Sequence, residues 1–244
     1  MCLAISSCIS DNSPFVWREV LDFITSDPQA EPLACIIWMH GLGSDAQDME
    51  GLAGELKLKW PVRHIFLNAP VRPVTINNNM EMRAWYDIKG ANLTSREDKR
   101  GIEESESLIK DVMKKQLEEG FSTNQLFLAG FSQGGAMAFY TGLNFKKPLA
   151  GIVALSGYLP LSKQVTMSQK LSTPMFAGYG QYDDVVNPEW TQKTIEWVEE
   201  NGMKKVESHI YPMAHAVCLK EINDLTDWFN TQFAHMDNQS GGNP

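Results

Sequence analysis

The stretch LFLAGFSQGGAMAFY, Leu126–Tyr140, changes character at its centre. Residues 126–129 are a short apolar run of the kind that forms a buried strand; a glycine interrupts it, one serine is displayed, and an Ala- and Met-rich segment of a different period follows. Gly130-Phe131-Ser132-Gln133-Gly134 matches G-x-S-x-G, in which a serine sits on a sharp strand-to-helix turn with its hydroxyl raised above the sheet. The flanking glycines answer a steric need, because such a turn brings backbone close on both sides and imposes an unusual φ/ψ on the serine. A glycine-rich turn with an incidental serine is the plainer alternative. The strand-like run before the serine and the small-residue helix after it favour a nucleophile.

The rest of the chain supplies the setting such a turn requires. Short apolar runs near residues 33–39, 64–67, 125–129, 149–155, 174–178 and 206–211 read as strands and alternate with segments of helical period. Residues 45–58 place Met49, Leu52, Ala53 and Leu56 on one stripe, and 97–119 does the same with Ile102, Ile109, Val112, Met113 and Leu117. Pro188 can open a further helix that Gly202 closes, and a last helix from about Leu219 carries Ile222, Leu225 and Phe229 inward. This alternation predicts an α/β fold: a mostly parallel central sheet with helices on both faces, in a single domain over residues 1–236. Residues 237–244, DNQSGGNP, read as a flexible C-terminal tail. Pro70–Glu97 has two prolines, three consecutive asparagines and no helical period, a long connection that is expected to be functional or partly structured by itself.

Composition removes several function classes. The 244 residues carry a formal net charge of −9, with Lys and Arg scattered, which lacks the basic patch of a nucleic-acid binder. The longest apolar run, Leu33–Met39, is far too short to span a membrane. The start, MCLAISSCIS, has no basic n-region, so no signal peptide is expected; Ile5-Ser6-Ser7-Cys8 resembles a lipoprotein cleavage site only weakly, because its apolar lead-in is short. Cys2, Cys8, Cys35 and Cys218 show no regular spacing and are expected to be reduced thiols of a cytoplasmic protein. The histidines form no metal-ligand pattern, and neither a metal nor a cofactor is expected.

A serine hydroxyl needs a base and a group to orient that base. On this kind of turn the partners follow in the order Ser, acid, His. His209 lies within the strand VESHIY and His235 near the C-terminal end, whereas His215, in YPMAHAV, follows a strand in a loop at the sheet's carboxyl edge and is the expected base. For the acid, the strand PMFAGYG runs into QYDDVVNP and offers Asp183 and Asp184 equally. An oxyanion hole takes one N–H from the residue after the nucleophile, Gln133, and one from an earlier strand end, for which CIIWMHGLGSD offers Leu42. His40, which precedes the serine, is expected to hold that loop rather than to act as base.

The ordered set HGLG, APVRPVT, WYDI, GFSQGG, LSGYLP, YDDVV and AH, from about Leu33 to Phe229, resembles the bacterial carboxylesterase and acyl-protein thioesterase family of α/β-hydrolases, which includes lysophospholipase activities. The resemblance implies Ser132 as nucleophile, Asp183 rather than Asp184 as acid, His215 as base, Leu42 and Gln133 as oxyanion donors, and Trp85 bordering the acyl pocket. Trp85, with Val74, Ile76 and Met82, is then expected to form a mobile wall for a medium or long acyl chain. The implied partner is a small acyl ester or thioester, including a lysophospholipid or an acylated protein, together with transient membrane contact and a second copy of the chain; no nucleic acid is implied. The chain departs from the family pattern in having HGLGS with the acid one place later at Asp45, Asp184 where a proline is usual, and Ala216-Val217 after the histidine. A non-catalytic hydrolase fold that binds a lipid or a partner protein is the alternative of another class, disfavoured by the intact Ser, Asp and His set. A dienelactone-type hydrolase would carry Cys at position 132.

Overall fold

Ala34–Met39 is a run of apolar side chains, and every one of them is buried. A strand buried on both faces belongs in the middle of a parallel sheet covered by helices on either side. The computed structural model, which describes residues 21–166 and 172–240, bears this out; Cys2, Cys8 and the start of the chain, and residues 241–244 of the expected tail, lie outside the described residues. The elements are β1 (Phe23–Ser26), β2 (Ala34–Met39), α1 (Ala46–Gly54), β3 (Val62–Leu67), β4 (Val71–Val74), β5 (Met80–Arg83), α2 (Lys99–Glu118), β6 (Leu126–Phe131), α3 (Gln133–Asn144), β7 (Gly151–Leu155), β8 (Met175–Gly180), α4 (Pro188–Glu200), β9 (Val206–Tyr211) and α5 (Leu219–Ser240). The main sheet has seven strands in the order β1-β3-β2-β6-β7-β8-β9. All neighbours in it run parallel except β1, which pairs antiparallel with β3.

Alternation along the central strands sorts side chains into two cores. Cys35, Ile37 and Met39 of β2 and Leu126 and Leu128 of β6 face the layer built by α2, α3 and α4. Ala34, Ile36, Trp38, Phe127 and Ala129 face the opposite layer, built by α1 and α5. There Phe127 stacks edge-on against Trp228, Phe229 and Phe233 of α5, with ring centroids 6.1, 5.5 and 5.5 Å away. Helix α3 differs from the amphipathic α2 and α4 in that every residue from Gln133 to Leu143 is buried. It lies between the sheet and α2, and its small residues make that approach possible. A Cβ on Gly134 would overlap the Met39 carbonyl, one on Gly130 would run into the Gly134 backbone, and one on Gly142 would meet Ile152 Cδ1 at 2.6 Å.

Two features of the sheet's surroundings bear on the sequence reading: the first fills in the connection expected to be partly structured by itself, and the second departs from the expected tail. The Pro70–Glu97 connection contains the β4–β5 hairpin, whose turn uses Asn78 and Asn79 at φ 55° and 59°; asparagine tolerates this left-handed region, which accounts for the run of asparagines. At the other end of the chain, α5 continues through residues 237–240, expected to belong to the tail. Met236 packs on the second core, and Trp60 Nε1 donates to Asp237 Oδ2 at 3.4 Å, so the helix keeps tertiary partners there. Asp45, the displaced acid of the HGLGS segment, caps α1 by accepting from Gln47 N and Asp48 N at 3.0 and 3.2 Å.

At the start of α5 stands Glu221, wholly buried, neither of whose carboxylate oxygens has a hydrogen-bond partner. Burial pushes its pKa from 4.5 up to about 8, an effect that the nearby Cys218 N–H offsets only in part. Because the folded pKa lies above the unfolded one, the folded state retains a proton that the unfolded chain releases, and stability declines as pH rises from about 4.5 toward 8.

Thermal unfolding monitored by circular dichroism tests both points. Gly134→Ala is expected to destabilise by about 3 kcal/mol or more, since backbone must shift, whereas Gly51→Ala, in α1 with open space around it, should stabilise by about 0.5–1 kcal/mol. Glu221→Gln should leave the melting temperature near that of wild type at pH 4.5 and raise it at pH 8; equal effects at the two pH values would contradict the buried protonated carboxyl.

Candidate active site

Four of the predicted site residues lie just beyond the carboxyl ends of parallel strands: Leu42 after β2, Ser132 after β6, Asp183 after β8 and His215 after β9. Ser132 has φ 57° and ψ −119°, a conformation that L residues avoid, imposed by the turn from β6 directly into α3. The turn is pinned by Ser132 N donating to Leu155 O at 2.8 Å on the neighbouring strand end. The adjacent loops are tied in the same manner, Ser156 N to Gly178 O at 2.7 Å, Gln181 N to Tyr211 O at 2.7 Å and Tyr182 N to Met213 O at 3.0 Å. Backbone bonds between strand ends thus place three distant segments side by side.

Within that frame the side chains form a continuous relay. His215 Nε2 is 2.8 Å from Ser132 Oγ, and His215 Nδ1 is 2.7 Å from Asp183 Oδ2. An ionised carboxylate only accepts, so Nδ1 carries the proton and Nε2 accepts from the serine hydroxyl. The other carboxylate oxygen, Asp183 Oδ1, accepts from Val185 N at 2.9 Å and Val186 N at 2.8 Å. Burial alone would raise the Asp183 pKa, but the bonds from His215 and from the Val186 and Val185 N–H groups outweigh it and hold the carboxyl below its usual range. The ring of Phe131 backs the imidazole at a centroid distance of 4.9 Å. Asp184, which residue order alone could not separate from Asp183, turns instead to a cleft beside the serine. His209 bonds to Glu207 on β9, and His235 is exposed on α5.

Leu42 and Gln133 both line that cleft with Ser132, and neither backbone N–H has a partner among the described residues. Gly41 brings the loop this close: a Cβ there would stand 3.4 Å from Ser132 Cβ. His40, buried behind the loop, accepts from Ala69 N at Nε2, 3.0 Å, and bonds to Gly41 O through Nδ1, 2.6 Å. These partners fix one neutral tautomer, and burial lowers its pKa, as suits a residue that holds a loop.

Two clefts meet at Ser132. One, of about 290 Å³, is lined by Ile76, Tyr86, Ile88, Leu93, Tyr158 and Val186 among others. The other, of about 500 Å³, runs past Met49, Leu52, Phe131, His215 and Val217. Trp85, expected to border the acyl pocket, does neither: it is fully buried and lines neither cleft. Its indole N–H donates to His40 O at 2.9 Å and its ring leans on the His40 ring, which draws it beneath the loop while Tyr86 and Ile88 face the cleft. Of its expected companions, Ile76 lines the smaller cleft and Val74 is wholly buried. What residue patterns missed is the Gln133 side chain, whose Oε1 accepts from Trp85 N at 2.8 Å and whose Nε2 donates to Tyr86 O at 2.7 Å. The available signal was only a polar glutamine directly after Ser132 at the head of an otherwise small and apolar segment.

Residues 22–233 match the model of a family described as phospholipase/carboxylesterase. Acyl-protein thioesterase 1 of Yarrowia lipolytica is 33% identical over 209 residues, covering 82% of this chain and 92% of that protein. Acyl-protein thioesterase 1 of Mycosarcoma maydis is 34% identical over 230 residues, covering 84% and 95%. Among solved structures, SOBER1 of Arabidopsis thaliana superposes with a TM-score of 0.75 at 27% identity, covering 82% of this chain and 98% of that one.

Gln133→Ala removes both bonds to the Trp85–Tyr86 backbone and strands two buried polar groups; urea unfolding should show a loss of about 2–4 kcal/mol, with a change below about 0.5 kcal/mol contradicting the clamp.

Proposed function

The chain belongs to the phospholipase/carboxylesterase family and is an α/β-hydrolase that acts on ester or thioester bonds of acyl substrates, and from that premise we propose that Ser132, His215 and Asp183 carry the reaction. The observation that carries this assignment is the unbroken hydrogen-bonded series from Ser132 Oγ through the imidazole to Asp183, beside two backbone N–H groups without partners among the described residues. Ser132 Oγ attacks the acyl carbonyl while His215 Nε2 takes the hydroxyl proton. The carbonyl oxygen, now negative, is held by the N–H groups of Leu42 and Gln133; in comparable sites one such donor is worth about 3–4 kcal/mol. Collapse of the tetrahedral adduct breaks the bond to the leaving alcohol or thiol, to which His215 returns the proton. Water, deprotonated by the same nitrogen, then attacks the acyl-serine, and the carboxylic acid leaves.

Asp183 keeps its negative charge throughout. The two valine N–H groups and the histidine hold it ionised, so it fixes the imidazole tautomer and stabilises the imidazolium without accepting its proton. The smaller cleft, with Ile76, Ile88 and Leu93 on its wall, suits an acyl chain, and the larger one suits the leaving group. An acylated protein or a lysophospholipid fits this division, since either presents one long acyl group and a bulkier departing portion. No helix among the described residues is long and apolar enough to cross a membrane. Cys35 and Cys218 are free thiols, which accords with action in the cytoplasm.

With p-nitrophenyl butyrate as substrate, Ser132→Ala and His215→Ala should each lower kcat by about a millionfold and Asp183→Asn by about ten-thousandfold, with melting temperatures retained. A serine-directed fluorophosphonate should label the wild type and not Ser132→Ala. Turnover surviving in purified Ser132→Ala would falsify the assignment.

A further inference from the structure

Beyond the triad, one side chain occupies a position that the chemistry does not explain. Tyr158 closes part of the wall of the 290 Å³ cleft at Ser132. It also lines a separate cavity of about 520 Å³, formed with Trp190 and Trp197 of α4 and with Leu161. Among the described residues Tyr158 alone contributes to both, so its ring stands between them. It is only 3% exposed and is held at two points: its hydroxyl donates to Leu93 O at 3.1 Å, and its ring rests against Trp190 with centroids 6.0 Å apart. The Tyr86 hydroxyl lies beside that of Tyr158. The cavity behind is mixed: Trp190, Trp197, Leu159 and Leu161 give it an apolar side, Glu97 and Thr194 a polar one, and exposed Lys163 and Lys193 lie toward solvent, so a chain that passed the ring would lie along the two tryptophans.

We propose that Tyr158 is a partition that sets the longest acyl chain the enzyme accepts, with the cavity of Trp190 and Trp197 as latent space for the distal carbons of a longer chain; this rests on the hydrolase reading above. The physical basis is the gain from burying methylenes. Each CH₂ seated in an apolar cleft raises kcat/KM by about fourfold, and the gain stops where the chain meets a wall that does not move. In the wild type, kcat/KM climbs from short to medium chains and levels off at Tyr158. Without the ring the chain continues into the second cavity and the climb resumes.

The experiment compares p-nitrophenyl butyrate, octanoate, laurate and palmitate in one detergent, for wild type, Tyr158→Ala, Tyr158→Leu and Tyr158→Phe, after circular dichroism establishes which variants fold. The readout is the palmitate-to-octanoate ratio of kcat/KM, which a general loss of activity does not alter. It should rise at least about tenfold in Tyr158→Ala and by a smaller factor in Tyr158→Leu, the variant that stands in if the alanine protein does not fold. Tyr158→Phe keeps the ring and should keep the wild-type ratio. The proposal is overturned by an unchanged ratio in whichever of the alanine and leucine variants fold, or by a wild type that gains as steeply from laurate to palmitate as from butyrate to octanoate. A failure of the hydrolase reading looks different: turnover persists in Ser132→Ala, or the wild type cleaves none of the esters, and the second result overturns both.

Discussion

Close backbone contact between α3 and the sheet is the constraint on which the molecule depends. The helix begins one residue after Ser132, and its first turn lies against the Met39 carbonyl and the end of β6 with no room for a β-carbon at Gly130 or Gly134. Because the chain must pass from strand to helix in so little space, Ser132 is forced to positive φ. Like those of any helix, the first N–H groups of α3 have no intrahelical acceptor, and Gln133, which carries one of them, lines the cleft. The tight turn strains the serine, and the start of the helix supplies the available amide beside it.

The electrostatics of the relay follow from how its acid is held. A carboxylate as buried as Asp183 would by itself tend to take up a proton. Two backbone amides and an imidazole reverse that tendency, and the amides come from the loop that carries the acid, so the loop's shape and the carboxylate's charge support each other. Glu221, on the helix that follows His215, shows the opposite case: wholly buried, with only the nearby Cys218 N–H to favour its charged form, it has its pKa pushed up to about 8. The contrast places the difference in the surroundings and not in the residue type.

Legibility from sequence tracked how far each feature is fixed by local pattern. Strands β2, β3, β6, β7 and β8 and the helices were readable because burial writes itself into hydrophobic spacing, and the mostly exposed β9 was readable from the alternation in VESHIY. Strand β1 was not, since FITS is short and half exposed at a sheet edge, and neither was the β4–β5 hairpin, whose brief strands carry a proline and mostly exposed residues. At the site, Ser132, His215 and Leu42 followed from motif and chain order. The choice between adjacent aspartates did not, because only the tertiary path of the loop decides which of them faces the imidazole. Trp85 was placed at the acyl pocket by the resemblance alone; in the structure the His40 carbonyl gives its indole N–H a buried partner, and the ring lies beneath the loop, a tertiary contact that no local pattern announces.

Gln133 belongs to two parts of the molecule at once. It lines the cleft beside Ser132, while its side chain grips the backbone at Trp85 and Tyr86. Lifting that stretch of the cover would break both bonds or drag on the residue next to Ser132, so the segment is stitched down along one seam, and the hairpin tip and the residues beyond Ile88 lie outside that seam.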